Sequence, residues 1–334
     1  MRLRLLFMPD NHMTDTTAPD AGYSPRIAVL VPCHNEEAAI GRVVSDFRAA
    51  VPCARVYVYD NNSTDDTVSV ARAAGATVRQ EPLQGKGHVV RRMFADIDAD
   101  FYVLVDGDAT YEAAAAPALI ELARAEKLDM VNAARVTDRV AAYRAGHKLG
   151  NRVLTGLVMA IFGKRLSDML SGYRVFSRRF VKSFPAMSSG FETETELTVH
   201  ALELAMPIAE LPTQYIERPD GSVSKLRTYH DGFRILWTII VLVKQEKPLM
   251  FFSALSGVFC LLGLAFGFPV IVEYLRTAMV PRLPTAVLAT GLMMLAALSM
   301  SCGLILDSVA LGRLEMKRLA YLSYRGPLAP DDFA

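Results

Sequence analysis

Two uninterrupted apolar runs near the end of the sequence constrain this chain most. Leu249–Val272 and Leu283–Leu306 each contain 24 residues without a charged side chain. About 20 helical residues cross a hydrocarbon core of roughly 30 Å, and core helices of soluble proteins rarely stay uncharged for so long. Only Glu273–Arg282 separates the runs, so the pattern predicts a two-helix membrane hairpin. The competing reading is a pair of buried core helices. A hydrophobic content of 52% and a mean hydropathy of +0.24 agree with a membrane segment.

Flanking charges set an orientation. Arg227, Arg234, Lys244 and Lys247 precede the first run, and Arg313, Lys317, Arg318 and Arg325 follow the second. The loop between them holds only Arg276 and Arg282, which predicts cytoplasmic termini. Phe233–Val243 reads either as an amphipathic helix lying in the interface or as a helix packed on the preceding domain. At the other end, the apolar start Met-Arg-Leu-Arg-Leu-Leu-Phe is too short for a signal-peptide core. Residues 1–25 read as disordered by composition, and Met13 offers an alternative start. The four cysteines form no C-x-x-C pair and fit a reduced, cytosolic setting. A net charge of +1 gives no whole-chain field for nucleic acid.

From residue 26 the sequence alternates strand and helix. Ile27–Val31 is a short apolar run, and Arg55–Asp60, Thr77–Arg79, Phe101–Val105 and Met130–Ala134 read as further strands. Glu36–Ala50, Thr64–Ala74, Lys86–Ala95 and Ala114–Glu126 carry helical spacing between them, with Ser63 or Thr64 as a cap for the second. This order predicts an α/β fold with a doubly wound, largely parallel sheet, whose ligands bind beyond the carboxyl ends of the strands. The polar clusters Pro32–Glu36, Asp60–Asp65 and Asp106–Asp108 all fall at such ends. Neither G-x-G-x-x-G nor a P-loop signature occurs. Asp106 and Asp108, spaced i and i+2 in an extended stretch, point the same way. Two converging carboxylates suit a hard divalent cation shared with phosphate oxygens.

The segments Val-Pro-Cys-His-Asn-Glu-Glu, Asp-Asn-Asn-Ser-Thr-Asp-Asp-Thr, Gln-Gly-Lys-Gly, Asp-Gly-Asp and Asp168-Met-Leu-Ser-Gly-Tyr-Arg174 occur in this order. Over about residues 26–248 the chain resembles family-2 glycosyltransferases, above all the polyprenyl-phosphate hexose synthases such as dolichyl-phosphate mannose synthase. The resemblance implies a GT-A (nucleotide-diphospho-sugar transferase) fold. It also implies that Pro32, Glu36 and Asp60 line a nucleoside pocket, that Lys86 lies beside base and ribose, and that Asp106 and Asp108 hold Mg²⁺ or Mn²⁺ on the diphosphate. Arg174, with Ser171 and Gly172, matches a segment near the reacting phosphates, and Glu194 and Glu196 match an acidic helix start near the sugar. Two departures stand out: His34 replaces a common aromatic, and Asp-Gly-Asp-Ala-Thr lacks the glutamine that often follows the acidic pair. Related enzymes with such hairpins assemble into tetramers, which makes a homo-oligomer an expectation here too.

An alcohol acceptor needs a general base, whereas a phosphate monoester, with a second pKa of about 6, is already largely dianionic. A phosphate acceptor needs cations instead, and Arg135, Arg139, Arg144, Arg152, Arg174, Lys225 and Arg227 supply them. Of these, Arg144, Arg174 and Lys225 are the chosen phosphate contacts, and Asp168 is assigned to orient Arg174 or another cation, with a general-base role as the weaker option. The expected reaction is hexose transfer from a UDP- or GDP-sugar to undecaprenyl or another polyprenyl phosphate at a bacterial inner membrane. Three alternatives stay open: a processive polysaccharide synthase, although Trp237 does not fit the Gln-x-x-Arg-Trp signature; a transferase acting on a hydroxyl, with Glu194, Glu196 or Asp168 as base; and a non-catalytic scaffold. The expected layout is a disordered segment (1–25), catalytic domain (26–229), juxtamembrane helix (230–248), membrane hairpin (249–312) and cytoplasmic tail (313–334).

Overall fold

The computed structural model describes residues 25–136, 155–216 apart from seven scattered positions, 218 and 228–327, with the side chains of 228–235 left aside. The first four strands follow the predicted pattern: β1 (Ile27–Cys33), β2 (Arg55–Asp60), β3 (Thr77–Gln80) and β4 (Phe101–Leu104). Between them run α1 (Glu37–Ala50), α2 (Thr67–Ala73) and α3 (Lys86–Asp96). A single turn at Ala113–Ala115 leads into α4 (Ala116–Ala125) and β5 (Met130–Val136). After the 168–174 turn come β6 (Arg174–Ser177), α5 (Arg178–Ser183), α6 (Thr193–Glu203) and β7 (Ile208–Gln214).

The seven strands form one sheet in the order β3-β2-β1-β4-β6-β5-β7. All neighbouring pairs are parallel except those made by β6, which runs antiparallel to β4 and to β5. β1 is buried on both faces, so alternate residues feed two cores. Ala28 and Leu30 join Tyr102, Phe94, Phe176 and Phe180 on one side. Ile27, Val29 and Val31 join Val43, Phe47, Leu119 and Ile120 on the other. Thr64 does not begin α2; the helix starts at Thr67, and Asp66 at its cap position makes no side-chain capping bond. Ser63 and Thr64 serve the neighbouring loop instead, as shown below.

The C-terminal part is three helices: α7 (Thr228–Glu246), α8 (Pro248–Thr277) and α9 (Leu283–Leu322). α7 follows the second reading of its sequence, a helix packed on the preceding domain. Ile239 and Val243 enter the core of the α/β domain, while Leu236, Trp237 and Ile240 stay exposed. α8 and α9 are long and apolar enough to cross a membrane, and only 11% and 17% of their most apolar windows are buried. That exposure removes the buried-core reading of the two runs. α9 does not stop near residue 312. Its 40 residues span about 60 Å at 1.5 Å per residue, so its last four turns extend past the apolar stretch and dock on the α/β domain. Tyr321 Oη donates to Asp129 at 2.6 Å, and Arg179 stacks on the Tyr321 ring while pairing with the same aspartate.

Candidate active site

Because β1, β2 and β4 are parallel neighbours, with Cys33 paired to Asp60 in register, the predicted polar clusters meet on one edge of the sheet. Asn35 adopts a left-handed backbone (φ 51°), a conformation asparagine tolerates better than most residues. Its N–H donates to Ser63 Oγ at 2.9 Å and its Oδ1 accepts from Thr64 N at 2.7 Å. The Glu36 N–H donates to Thr67 Oγ1 at 2.8 Å. Pro32 lies in β1 opposite Tyr59. Asp60 is buried, and both of its carboxylate oxygens accept from Ser63 N. These bonds join the first two strand-end loops into one wall.

Asn61, inside the Asp60–Asp65 cluster, carries no role of its own in the sequence reading. Its Nδ2 donates to the carbonyls of Glu81 and Leu83, and its Oδ1 accepts from Gly85 N at 2.7 Å. It therefore fixes the segment that delivers Lys86. The available signal was an amide directly after a strand-terminal aspartate.

Lys86, at the start of α3, donates to both Asp106 and Glu194. Its side chain is 10% exposed and that of Glu194 is 7% exposed. Burial favours the neutral amine, but the two carboxylates outweigh it and hold Lys86 well above the usual lysine range. Asp108 accepts from Thr110 N and Oγ1, and its Oδ2 pairs with Arg218 at 2.5 Å. Burial, and then the Asp106 carboxylate, push Asp108 above the usual carboxylate range, against the pull of Arg218. Arg218 was absent from the cations chosen by sequence.

This pair fits a divalent cation. Two like charges are brought together, one of them buried, and each is balanced by a protein cation. Among the described residues no group of three or more His, Cys, Asp or Glu side chains could hold a metal. The arrangement suits an ion that takes one or two carboxylates and completes its shell with phosphate oxygens and water.

The 168–174 turn closes the other side. A Cβ at Gly172 would lie 2.2 Å from Asp106 Oδ2, so only glycine lets this backbone approach the carboxylate. Its N–H donates to Tyr111 Oη at 2.8 Å. Ser171 Oγ donates to Ala133 O at 2.6 Å and is buried. Arg174, expected near the reacting phosphates, lies inside the fold. Its guanidinium is wholly buried and donates to the carbonyls of Ser171 and Met169 and to Thr198 Oγ1. Arg174 and Ser171 thus support the cleft from beneath. Asp168 does not orient Arg174; it accepts a two-pronged pair from Arg135, at 2.7 and 2.8 Å. Arg135 also lies over the Tyr215 ring. Glu196 accepts from the N–H groups of Met187 and Ser188, both at 2.8 Å, and so holds the loop before α6. Arg144 and Lys225, with Arg139, Arg152 and Arg227, lie outside the described residues.

The family model of glycosyl transferase family 2 matches residues 28–184. Glycosyltransferase AglJ of Haloferax volcanii is 33% identical over 311 residues, covering 91% of this chain and 99% of that protein. A dolichyl-phosphate hexose transferase of the same organism is 26% identical over 235 residues, covering 70% of this chain and 99% of that protein. Among solved structures, glucosyl-3-phosphoglycerate synthase from Mycobacterium tuberculosis, with Mn²⁺, UDP-glucose and phosphoglyceric acid, superposes with a TM-score of 0.53 at 25% identity, covering 65% of this chain and 79% of the synthase. The mixed seven-stranded sheet is a GT-A fold. With acidic motifs inside the matched region and a relative one-third identical along nearly its whole length, the chain belongs to glycosyl transferase family 2 and is a glycosyltransferase.

Proposed function

We propose that this enzyme moves a hexose-type sugar from a UDP- or GDP-sugar to a polyprenyl phosphate such as undecaprenyl phosphate, with inversion at the anomeric carbon. The observation that carries this reading is the state of the cleft carboxylates. Asp168 is locked by Arg135, Glu194 by Lys86, and Glu196 by two backbone N–H groups. None is poised to take a proton from a hydroxyl acceptor, whereas a phosphate dianion needs no base. The likeness to a dolichyl-phosphate hexose transferase and the two apolar helices support the same acceptor class.

In this reading a lipid-phosphate oxygen forms the new bond to the anomeric carbon as the bond from that carbon to the nucleoside diphosphate breaks. Asp106 and Asp108 would hold Mg²⁺ or Mn²⁺, which neutralises charge on the departing diphosphate when bound. Mn²⁺ and UDP-glucose in the solved synthase favour a divalent ion at this pair. Lys86, which keeps its bond to Glu194, and Arg218 lie beside this pair and would be placed to bind diphosphate oxygens. Pro32, Glu36 and Asp60 form the wall for the nucleoside. Arg135, oriented by Asp168, joins Arg144 and Lys225 as candidates for the acceptor phosphate. The hairpin anchors the enzyme in a bacterial cytoplasmic membrane with both termini cytoplasmic, where the lipid phosphate arrives by lateral diffusion.

The test is transfer from a panel of radiolabelled UDP- and GDP-sugars to undecaprenyl phosphate or undecaprenol in detergent, with Mg²⁺ or EDTA. Label that enters only the lipid phosphate and only with metal supports the proposal. Transfer to the alcohol, or none from any donor by folded protein, overturns it.

A further inference from the structure

Helix α6 has an acidic residue near each end and is buried along its length. Every residue from Thr193 to Leu202 is buried. Near its start, Glu194 accepts from Lys86, which also donates to Asp106. At its end, Glu203 accepts from Lys317 Nζ at 2.8 Å, and the same ammonium donates to Glu246 at 2.9 Å. Lys317 belongs to α9 and Glu246 ends α7. The three side chains are 20%, 9% and 10% exposed for Lys317, Glu203 and Glu246. At mid-helix, Thr198 Oγ1 accepts from the buried Arg174 at 2.9 Å. At the entrance, a Cβ on Gly87 would fall 2.8 Å from Thr193 Oγ1 and 2.1 Å from Ser188 O, so the first turn of α3 lies directly against α6.

Glu194 and Glu203 are separated by about 13.5 Å along the axis, at 1.5 Å per residue. A helix packed on all sides cannot slide or rotate without repacking its neighbours. A shift imposed at Glu203 therefore reaches Glu194, and through it Lys86. We infer that Lys317, acting through Glu203 and the buried helix Thr193–Glu203, is a positioning residue that sets the placement of Lys86 and Asp106 and ties the membrane hairpin to the donor site. What that site does rests on the proposed function, but the linkage does not depend on which sugar is moved. Replacing the ammonium by an apolar group would leave Glu203 and Glu246 facing each other in a buried corner, where loss of one partner is costly. Tyr321 on Asp129 remains as a second anchor for α9, so the perturbation stays local.

The test compares hydrogen exchange in the full chain in detergent for wild type, Lys317→Met and Lys317→Arg. Lys317→Met should speed exchange by at least ~5-fold, as local opening does, both in peptides spanning 193–203 and in those spanning 85–92. The β4 peptide 101–105 should be unchanged, and Lys317→Arg should restore protection. Faster exchange confined to 228–246 and 307–322 overturns the inference. If Lys317→Met does not fold, Glu203→Gln is read for the same pattern at smaller amplitude. A second reading comes from turnover. The loss caused by Lys317→Met should shrink at least ~5-fold in a Glu194→Gln background, because sites acting through one contact are not additive. Multiplying losses overturn the linkage. A wild type that transfers no sugar refutes the proposed function and leaves the exchange pattern to decide this inference.

Discussion

Lys86→Met tests the charge balance at the centre of the cleft. The wild-type ammonium neutralises two carboxylates of unequal exposure, with Glu194 at 7% and Asp106 at 30%. Asp106 can recover hydration when the lysine is lost. Glu194 cannot, since its helix is buried on all sides, so most of the cost falls there. Removing one partner of a buried pair costs about 3–5 kcal/mol, and Asp106 adds little because solvent screens it. At about 2–4 °C per kcal/mol for a domain of this size, the lower figure gives a fall in Tm of about 6–12 °C, read by circular dichroism in detergent. Lys86→Met/Glu194→Gln should recover more than half of that fall, because no buried charge is then left alone. The deficit should also be flat from pH 6 to 9. Lys86 is held above the usual lysine range, so its contribution is complete below the unfolded value of about 10.4 and is lost as pH rises from there through the folded one. A single variant within about 2 °C of wild type, or a double variant no better than the single, would refute this account of the cleft.

Asp108→Ala should abolish metal-dependent transfer while keeping the far-ultraviolet spectrum and at least the wild-type Tm, since it removes a buried carboxylate that repels Asp106; near-normal turnover would sink the metal assignment. Glu203 should give the docked helices a pH dependence. Burial, and then its hydrogen bond with Glu246, raise Glu203 to about 7, while against burial the hydrogen bonds with Glu203 and then Lys317 hold Glu246 below the usual range. The folded state then binds the extra proton, so stability falls as pH rises from about 4.3 towards 7. Thermal unfolding between pH 5 and 8 should show this decline in wild type and its loss in Glu203→Gln; identical slopes would discount it.

The strand ends were legible because a strand buried on both faces must be apolar without alternation, so the first polar residues mark where it leaves the core. Cys33, Asp60 and Leu104 end β1, β2 and β4 on that principle. β6 was not legible. Four residues, Arg-Val-Phe-Ser, carry too short a pattern, and its antiparallel placement between β4 and β5 depends on pairing with distant strands. Arg218 was missed because nothing local marks it; its partner Asp108 is 110 positions away. The continuation of α9 beyond residue 313 was not legible for another reason. Charges after Leu306 signal an exit from lipid, but they do not stop a helix whose apolar residues continue at Leu311, Leu314, Leu319 and Leu322. Asp168 was legible as the orienter of a cation, though not of which one, since Arg135 and Arg174 both belong to the cleft region and only the fold decides between them.

Arg174 shows why a motif read as phosphate-binding can instead hold a turn in place. Arginine is almost never fully buried unless paired, so an arginine beside Ser-Gly-Tyr reads from sequence as a ligand to substrate. In the fold its fork meets three oxygen acceptors, Ser171 O, Met169 O and Thr198 Oγ1, and the Met130 sulfur. Two of these belong to the turn that presses Gly172 against Asp106. Arg174→Lys keeps the charge but replaces a planar fork by a single ammonium centre. At least one buried acceptor then loses its donor, and two lost at about 1–3 kcal/mol each give a cost of about 2–6 kcal/mol. The expected result is a clear fall in Tm in both the presence and the absence of donor and metal, with turnover lost through distortion of the turn. If Arg174→Lys instead melts with wild type and only raises the KM for donor or lipid phosphate, the guanidinium meets phosphate after all, and the turn must open to expose it.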